Sequence, residues 1–306
     1  MAAVTELASG LRFPEGPIAM DDGSIILVEI ARGTLSRVTP AGKVEVIADL
    51  GGGPNGAAIG PDGACYVCND GGFDWHEVDG LLLPGEEPDD YSGGRIERVD
   101  LKTGKADVLY TECDGHPLKG PNDLVFDAHG GFYFTDLGKT RDRVVDRGGL
   151  YYALPDGSKI VEVVYGTQGL NGVGLSPDEK TLYAAETVTG RLWSYEVKEP
   201  GVVEAPSGLF SRGKLVAGLA GMQMLDSLAL DSTGNVCVAT IFNGGITCIS
   251  PDGSHITHTP TDDFLTTNIC FGGKDLKTAY VTLSSTGRLV SMDWPVAGLP
   301  LNFLNK

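Results

Sequence analysis

The sequence predicts an all-β chain that folds as a single six-bladed β-propeller with four-stranded blades, covering residues 1–306. Two observations lead to this fold. A pattern of strand, turn and strand occurs six times in one register, and glycine occupies 44 of the 306 positions. Frequent glycine with few amphipathic helical stretches is typical of many short strands joined by tight turns. Four antiparallel strands per repeat, arranged around an axis, form the blade of a propeller.

Six segments share this pattern without any gap. Each begins with a carboxylate or amide side chain, continues through a short apolar stretch and reaches a polar turn seven or eight residues later. Turns such as Asp22-Gly23 and Asp62-Gly63 have the residues that tight hairpins require, so each repeat is expected to open with a β-hairpin. The repeats begin at Glu15, Asn55, Asn122, Asn171, Asp226 and Asn268.

The chain ends and one long connection complete the predicted architecture. The segment VTELASGL, before Glu15, has the composition of a strand but no hairpin partner. We expect it to pair beside the C-terminal strand Gly287–Trp294 and close the ring without a long open edge. The segment between Asn69 and Arg95 is rich in Gly, Pro and acidic residues. It is interpreted as an excursion over one face of the propeller, where it can form a lid.

The formal net charge of −18 limits the partners of the protein. An acidic surface repels phosphate backbones and anionic lipids, so we predict neither nucleic-acid binding nor membrane binding. The N-terminal segment has no basic leader with an apolar core, and no apolar run approaches the roughly 18 residues of a membrane helix. We therefore expect a cytoplasmic protein that binds a small molecule, and the oligomeric state stays open.

The six cysteines are too sparse for a disulfide scaffold in a chain of this length. Cys65 and Cys68 form a CxxC motif, but residues three apart on a strand point to opposite faces of the sheet. The motif is therefore not expected to bind zinc, and most of the cysteines are interpreted as small core residues.

The first residue of each repeat predicts a metal site. The innermost strand of every propeller blade lines the central channel, so these six residues are expected to form a ring at one mouth. Two carboxylates and four amides in a narrow channel repel one another and lack partners unless a cation lies at the centre. Their oxygens suit one divalent ion, with Ca²⁺ favoured and Mg²⁺, Mn²⁺, Zn²⁺ or Fe as alternatives. Any single one of these residues can instead bind its own backbone in an Asx turn.

Five segments resemble the senescence-marker-protein, gluconolactonase and luciferin-regenerating-enzyme family. They are FPEGP at 13–17, GPNDLVFD at 120–127, LNGVGLSPDEKTLYAAE at 170–186, LDSLALD at 225–231 and TNICFGG at 267–273. The resemblance covers nearly the whole chain and implies a six-bladed propeller with a single central metal. It also implies that Glu15, Asn171 and Asp226 are direct ligands, and that Asn122 is a fourth ligand or a substrate contact.

The resemblance implies a reaction as well. In this family the metal polarises the carbonyl group of a lactone. The residue matching Asp226 is the general base, or the nucleophile in related organophosphate hydrolases. We therefore expect a metal-dependent lactonase. Asn55 and Asn268 share the register of the implied ligands and are assigned to the wall of the substrate pocket. Trp75 and His76, on the long excursion, are candidates for an apolar or aromatic cover over the substrate.

One departure from the family leaves the substrate open. Sugar lactonases of the regucalcin type carry an arginine two residues before the position of Asn122, where this chain has Gly120. A contact to a sugar hydroxyl is therefore expected to be missing, and sugar, aliphatic and aromatic lactones all stay candidates. Two other functions also stay open: a phosphotriesterase-like hydrolase using the same metal, and a non-catalytic propeller that binds Ca²⁺ or another protein.

Overall fold

The computed structural model describes residues 4–204 and 213–306, which form antiparallel strands almost throughout. Six sheets follow one another along the chain, and each is built around four strands. The innermost strand of each sheet packs against those of both neighbours, and the sixth contacts the first, which confirms the predicted six-bladed propeller. Within the two described ranges the only helical segment is the 3₁₀ turn Ile30–Arg32, and no helix there could cross a membrane.

The first three blades each run outward from the channel. The strands of blade 1 are Pro14–Ala19, Ile25–Glu29, Thr34–Val38 and Val44–Asp49. The strands of blade 2 are Pro54–Ile59, Cys65–Asn69, Arg95–Val99 and Ala106–Tyr110. The strands of blade 3 are Pro121–Phe126, Phe132–Asp136, Gly148–Ala153 and Ile160–Thr167. In all three blades the first strand is the innermost one.

The last three blades follow the same plan, with additions. The strands of blade 4 are Leu170–Leu175, Thr181–Glu186, Arg191–Glu199 and Lys214–Gly218, with Val202–Val203 beside the third. The strands of blade 5 are Met224–Leu230, Val236–Ile241, Gly245–Ile249 and Ile256–Pro260. The strands of blade 6 are Thr266–Gly272, Thr278–Leu283, Arg288–Asp293 and Val4–Ala8. Three short hairpins lie in the connections: Trp75–Val78 with Leu81–Pro84, Glu112–Cys113 with His116–Pro117, and Thr140–Arg141 with Val144–Val145.

The sixth blade takes its outermost strand from the opposite end of the sequence. Val4–Ala8 pairs antiparallel with Arg288–Asp293, so that Val4 lies opposite Met292. The predicted closure by the segment before Glu15 is therefore confirmed. This pairing joins the beginning and the end of the described chain in one sheet, and it makes the ring of blades continuous.

Six apolar clusters hold the blades together, one between each pair of neighbours. Successive residues of a strand alternate between the clusters on its two sides, as strand geometry requires. In the second strand of blade 2, Cys65 packs toward blade 1 and Cys68 packs toward blade 3. The two thiols therefore face opposite sides of the sheet, as predicted, and cannot bind one ion together.

Glycines allow the innermost strands to approach closely around the axis. A Cβ atom on Gly16 would lie 2.6 Å from the carbonyl oxygen of Asn55, and one on Gly56 would lie 2.4 Å from that of Asn122. Gly172 makes the same kind of backbone contact with blade 5. Distances this short exclude any side chain at these positions, and the channel is correspondingly narrow at this level.

The C-terminal segment covers the far end of the channel. Leu299 donates its N–H to the carbonyl of Leu230, and the Asn302 amide donates to the carbonyl of Phe126. Both acceptors are the last residues of innermost strands. A cavity of about 110 Å³ lies above this segment and is lined mainly by aliphatic side chains. We therefore expect small molecules to approach from the opposite mouth, where the innermost strands begin.

The long excursion of blade 2 is attached to the blades on both sides of it. The backbone N–H of Leu82, in its hairpin, donates to the carbonyl of Ser285 in blade 6. At its other end, Glu87 forms an ion pair with Arg141 of blade 3, at 2.7 Å. The excursion therefore extends from the connections of blade 3 to those of blade 6, across the mouth at which the innermost strands begin.

The close approach of the innermost strands predicts that alanine destabilises the protein at one strand glycine, Gly56, but not at another, Gly218. Gly56→Ala should lower the free energy of unfolding by about 2 kcal/mol, the usual cost of overpacking, because its methyl group would overlap the backbone of blade 3. Gly218→Ala is the control, since its Cβ would meet only Arg191 Cγ at 3.8 Å. The control should be neutral or slightly stabilising. Equal stabilities for the two variants in urea denaturation would contradict the close-approach argument.

Candidate metal centre

The six residues that open the repeats lie at one level of the innermost strands, as predicted. Each is the second or third residue of its strand. All six are buried, with only 2% to 7% of each residue exposed. This ring consists of Glu15, Asn55, Asn122, Asn171, Asp226 and Asn268. Two carboxyl groups and four amides are therefore gathered around the narrowest part of the channel.

A break in strand register accompanies the ring in every blade. The pairing of the innermost strand is interrupted between Glu15 and Ile18 in blade 1, and between Pro54 and Ala57 in blade 2. The other four blades are interrupted at the same level. Such bulges change the direction of a side chain relative to the normal alternation of a strand. In blade 6 the break lies just before Asn268, so the six irregularities are similar but not identical, and each lies at its ring residue.

The two amides assigned to the pocket wall make different contacts. Asn268 Nδ2 donates to Glu15 Oε2 at 2.6 Å, and its Oδ1 accepts from the backbone N–H of Ile269 at 2.7 Å. Asn268 therefore holds Glu15 in place. Asn55 Nδ2 donates outward, to Asp70 Oδ2 at 3.2 Å. A substrate contact by either amide stays a prediction.

On another side of the ring, Asn171 is linked to blade 5. Ser227 Oγ donates to Asn171 Oδ1 at 3.2 Å. Asn171 also forms a side-chain hydrogen bond with Asp226. The Asp226 carboxyl is thus oriented by a neutral amide, and it forms no ion pair with a cationic side chain in the described part of the chain.

Asn122 supplies the clearest indication that the ring binds something. Its Oδ1 atom is completely buried and has no hydrogen-bond partner within the described residues. A buried carbonyl oxygen without a partner costs about 1–3 kcal/mol, and native structures rarely keep one without a reason. A cation or a donor group of a ligand at the ring would satisfy this oxygen.

Asp123 is a third carboxyl group at the ring, and the sequence analysis missed it. It occupies the position that Gly16, Gly56 and Gly172 occupy in other blades, directly after a ring residue. Its Oδ1 lies against the backbone of Gly56, where an added Cβ would be 2.8 Å away. Aligning the second residue of each repeat would have singled out Asp123, because three of the other five positions there are glycine.

The three carboxyl groups have strongly perturbed pKa values. Burial raises the pKa of Glu15 to about 6. Burial, followed by repulsion from Glu15, raises the pKa of Asp123 to about 8. The same two causes, in the same order, raise the pKa of Asp226 well above its usual range. None of the three forms an ion pair with Lys, Arg or His in residues 4–204 and 213–306, so the ring favours added positive charge.

The donor set suits a hard divalent cation. Carboxylate and carboxamide oxygens are the ligands of Ca²⁺ and Mg²⁺, and the unpartnered Asn122 oxygen and the crowded carboxyls fit such an ion. The described residues contain no cluster of three or more His, Cys, Asp or Glu arranged as a metal site, so a bound ion would depend on the amides. The prediction that Glu15, Asn122, Asn171 and Asp226 hold such an ion stays a prediction, to which the structure adds Asp123 as a neighbouring carboxyl group.

The two candidates on the excursion lie in different surroundings. The Trp75 ring is partly buried and packs against Phe13, with ring centroids 5.0 Å apart, two residues before Glu15. His76 follows it in the same strand and is exposed, with Nε2 3.6 Å from Asp74 Oδ2. Trp75 therefore packs beside the segment that leads into Glu15, whereas the His76 side chain is exposed, and a substrate contact by either residue stays a prediction.

The departure at Gly120 has a structural reason. A Cβ atom on Gly120 would lie 2.6 Å from the carbonyl oxygen of Gly138, so no larger residue fits without movement of the backbone. The backbone N–H of Gly120 donates to Asp136 Oδ1 at 2.7 Å. This close contact between two connections leaves no room for a side chain at position 120.

Comparison with known proteins identifies the family. Residues 13–285 match the model of the SMP-30/gluconolactonase/LRE-like region, so the chain belongs to this family. It is 32% identical to lactonase drp35 of Staphylococcus saprophyticus over 236 residues, which cover 76% of this chain and 65% of that protein. It is 27% identical to a gluconolactonase of Zymomonas mobilis, covering 91% of this chain and 78% of that one. The chain thus spans just under two thirds of the length of the drp35 relative.

Solved structures support the fold. A calcium-binding regucalcin from Agrobacterium tumefaciens has a TM-score of 0.74 at 19% identity, covering 97% of this chain and 95% of that one. A gluconolactonase from Xanthomonas campestris has a TM-score of 0.72 at 20% identity, covering 96% and 90%. At these identities the likeness applies to the fold alone.

The pKa shifts predict how stability depends on pH in protein freed of metal by a chelator. Asp123, with a pKa of about 8, stays protonated in the folded state, whereas the unfolded chain releases this proton near pH 4. Between about pH 4 and about pH 8, the Asp123 carboxyl is therefore protonated in the folded state but not in the unfolded state. For this reason Asp123 makes the free energy of unfolding fall as pH rises from about 4 to about 8. Urea denaturation in EDTA should show a shallower decline for Asp123→Asn than for the unchanged protein. Identical slopes would contradict the shift.

Calcium binding should depend on the unpartnered oxygen of Asn122. At about 100 times its Kd, Ca²⁺ should raise the free energy of unfolding by about 2.7 kcal/mol. Asn122→Leu removes the oxygen with little change in volume, so the metal-free variant should be as stable as the unchanged protein or more stable. The variant should lose most of the stabilisation by Ca²⁺, measured by calorimetry. An undiminished effect of Ca²⁺ would rule out Asn122 as a ligand.

Proposed function

We propose that the protein is a metal-dependent hydrolase that opens the ring of a small lactone. The observation that carries this proposal is the buried ring of acidic and amide oxygens, with its unpartnered Asn122 oxygen, in a chain related to a lactonase and a gluconolactonase. A divalent ion at the ring, with Ca²⁺ favoured, would supply Lewis-acid activation of the lactone carbonyl and stabilise the negative charge that develops on its oxygen.

Asp226 is assigned as the residue that orients and deprotonates the attacking water. It is buried at the ring, and burial raises its pKa, so a bound cation would be needed to favour the ionised form that accepts a proton. Glu15 and Asp226 each form hydrogen bonds with a ring amide and with the backbone of the next residue, so these contacts do not separate the two, and the family resemblance favours Asp226. The hydrolysis breaks the ester bond of the lactone and adds one water, giving a hydroxy acid.

The covered mouth supports a substrate with an apolar part. Trp75 packs between Phe13 and Phe73 at the side of the mouth, with ring centroids 5.0 and 5.9 Å away. These aromatic side chains would shield one side of a bound substrate from water, which would strengthen its electrostatic interactions with the ring. Gly120 offers no side chain for a sugar hydroxyl. The substrates to assay first are therefore aliphatic and aromatic lactones together with sugar lactones.

A lactone panel with a pH indicator tests the proposal, because hydrolysis releases acid. The protein should be assayed with Ca²⁺, with EDTA, and with Ca²⁺ restored after EDTA, and paraoxon should be included as a phosphotriester. We expect turnover of at least one lactone that is lost in EDTA and recovered with Ca²⁺. A folded, Ca²⁺-loaded protein that opens no lactone would refute lactone hydrolysis. Turnover of paraoxon alone would instead favour the phosphotriesterase alternative.

Replacement of Asp226 by asparagine should lower catalysis without disturbing the fold. Asp226→Asn keeps the shape of the side chain but removes the base, so kcat should fall by about 10²–10⁴-fold at saturating Ca²⁺, the range typical of general-base catalysis. Asp252→Asn, in an exposed turn of the same blade, is the matched control and should keep full activity. A fully active Asp226→Asn variant would remove Asp226 from the mechanism.

A further inference from the structure

A buried ion pair lies directly behind one member of the ring. Lys139 Nζ is 3.0 Å from Asp70 Oδ1, and each side chain is only 1% exposed. Asp70 directly follows the second strand of blade 2, and Lys139 lies in the connection after the second strand of blade 3. The proposed hydrolysis uses neither residue, so the pair requires another explanation.

The pair determines which end of the Asn55 amide faces outward. The second oxygen of Asp70 accepts from Asn55 Nδ2 at 3.2 Å. An ionised carboxylate only accepts hydrogen bonds, so Asn55 must direct its NH₂ group, and not its carbonyl oxygen, toward Asp70. Lys139 Nζ, at 3.0 Å, is the cationic partner of this carboxylate. Asn55 Oδ1 forms no hydrogen bond within the described residues, and it is the end of the amide left for the ring.

The same pair holds the root of the excursion over the mouth. Lys139 Nζ donates to the carbonyl of Gly72 at 2.6 Å and lies 3.8 Å from the centroid of the Phe73 ring. Asp70 Oδ1 accepts from the backbone N–H of Gly72 at 2.7 Å. Phe73 in turn packs against Trp75. One pair of charges thus connects a ring residue, the cover of the mouth and the neighbouring blade.

Stability alone does not explain why a pair of charges is buried here. Removing two ions from water costs several kcal/mol each, and apolar replacements of buried pairs are often neutral or stabilising. A role in orientation does explain it, because a neutral partner at position 70 could accept from Asn55 or donate to it. At position 70, an ionised carboxylate can only accept and so restricts Asn55 to one orientation.

We infer that Asp70 and Lys139 are positioning residues that direct the carbonyl oxygen of Asn55 into the pocket, where it accepts a hydrogen bond from a hydroxyl group of the substrate. The identity of this donor rests on the proposed lactone hydrolysis, whereas the orientation of Asn55 does not. The inference makes Asn55 a determinant of specificity. It distinguishes lactones that carry a hydroxyl group from lactones of the same ring size without one.

The test replaces both charges at once, because Lys139→Met alone would leave Asp70 buried without a partner, which is strongly destabilising. The double variant Asp70→Asn/Lys139→Met keeps the shapes of both side chains. We expect the ratio of the KM for glucono-δ-lactone to that for δ-valerolactone to rise about tenfold, which corresponds to one hydrogen bond. The matched control is Asp107→Asn/Lys105→Met, which removes an exposed Lys–Asp pair at 2.7 Å and should leave the ratio unchanged.

A cycle of variants distinguishes positioning from a general structural effect. Asn55→Ala should raise the KM ratio by about the same factor, and the triple variant at positions 55, 70 and 139 should raise it no further, because the pair acts through Asn55. Additive effects on the ratio would overturn the inference. Tm measurements on each variant show whether the fold is kept.

A second readout does not depend on turnover. The side-chain NH₂ resonance of Asn55, identified by its loss in Asn55→Ala, should exchange slowly with solvent in the unchanged protein. It should exchange at least tenfold faster in the double variant. Unchanged exchange would overturn the positioning role even in an active lactonase. Faster exchange in a protein that opens no lactone would support the positioning role while refuting the proposed function.

Discussion

The close approach of six innermost strands at the axis is the constraint on which the rest of the structure depends. Gly16, Gly56 and Gly172 remove the side chains that would separate neighbouring strands, and a bulge in every blade sets the direction of the residue just before. Polar side chains are thereby gathered in a space from which most water is excluded. Their mutual repulsion is the cost of this arrangement, and it is also what makes the ring suited to a cation.

The protein buries charge around the mouth in two different ways. Asp70 is compensated within the chain by Lys139, at 3.0 Å, and this pair fixes the local conformation. Glu15, Asp123 and Asp226 have no such partner among the described residues, and burial raises the pKa of each, with repulsion from Glu15 adding to the shift of Asp123 and Asp226. The three carboxyl groups without a cationic partner are thus available for a ligand, whereas Asp70, which is paired with Lys139, has a structural role.

Blades 2 and 3 carry features that the other four blades lack. The excursion of blade 2 extends across the mouth and brings Trp75 against Phe13. In blade 3, contact with Gly138 excludes a side chain at Gly120, and Asp123 stands where other blades have glycine. Differences of this kind lie in connections and at strand starts. The propeller can therefore keep its core while the pocket changes.

The sequence by itself determined the repeating part of this protein. Hairpin turns, apolar alternation and the residue that opens each repeat are local patterns, so the six blades and the six-membered ring could be predicted from them. The N-terminal strand could be assigned to blade 6 because it had no local partner. Contacts between blades have no local pattern. Asn268 reaches Glu15 across 253 residues, and Lys139 reaches Asp70 across 69. Which of the ring side chains bond to one another, and which charge finds a partner, was decided only when packing of the apolar clusters set the distances between blades.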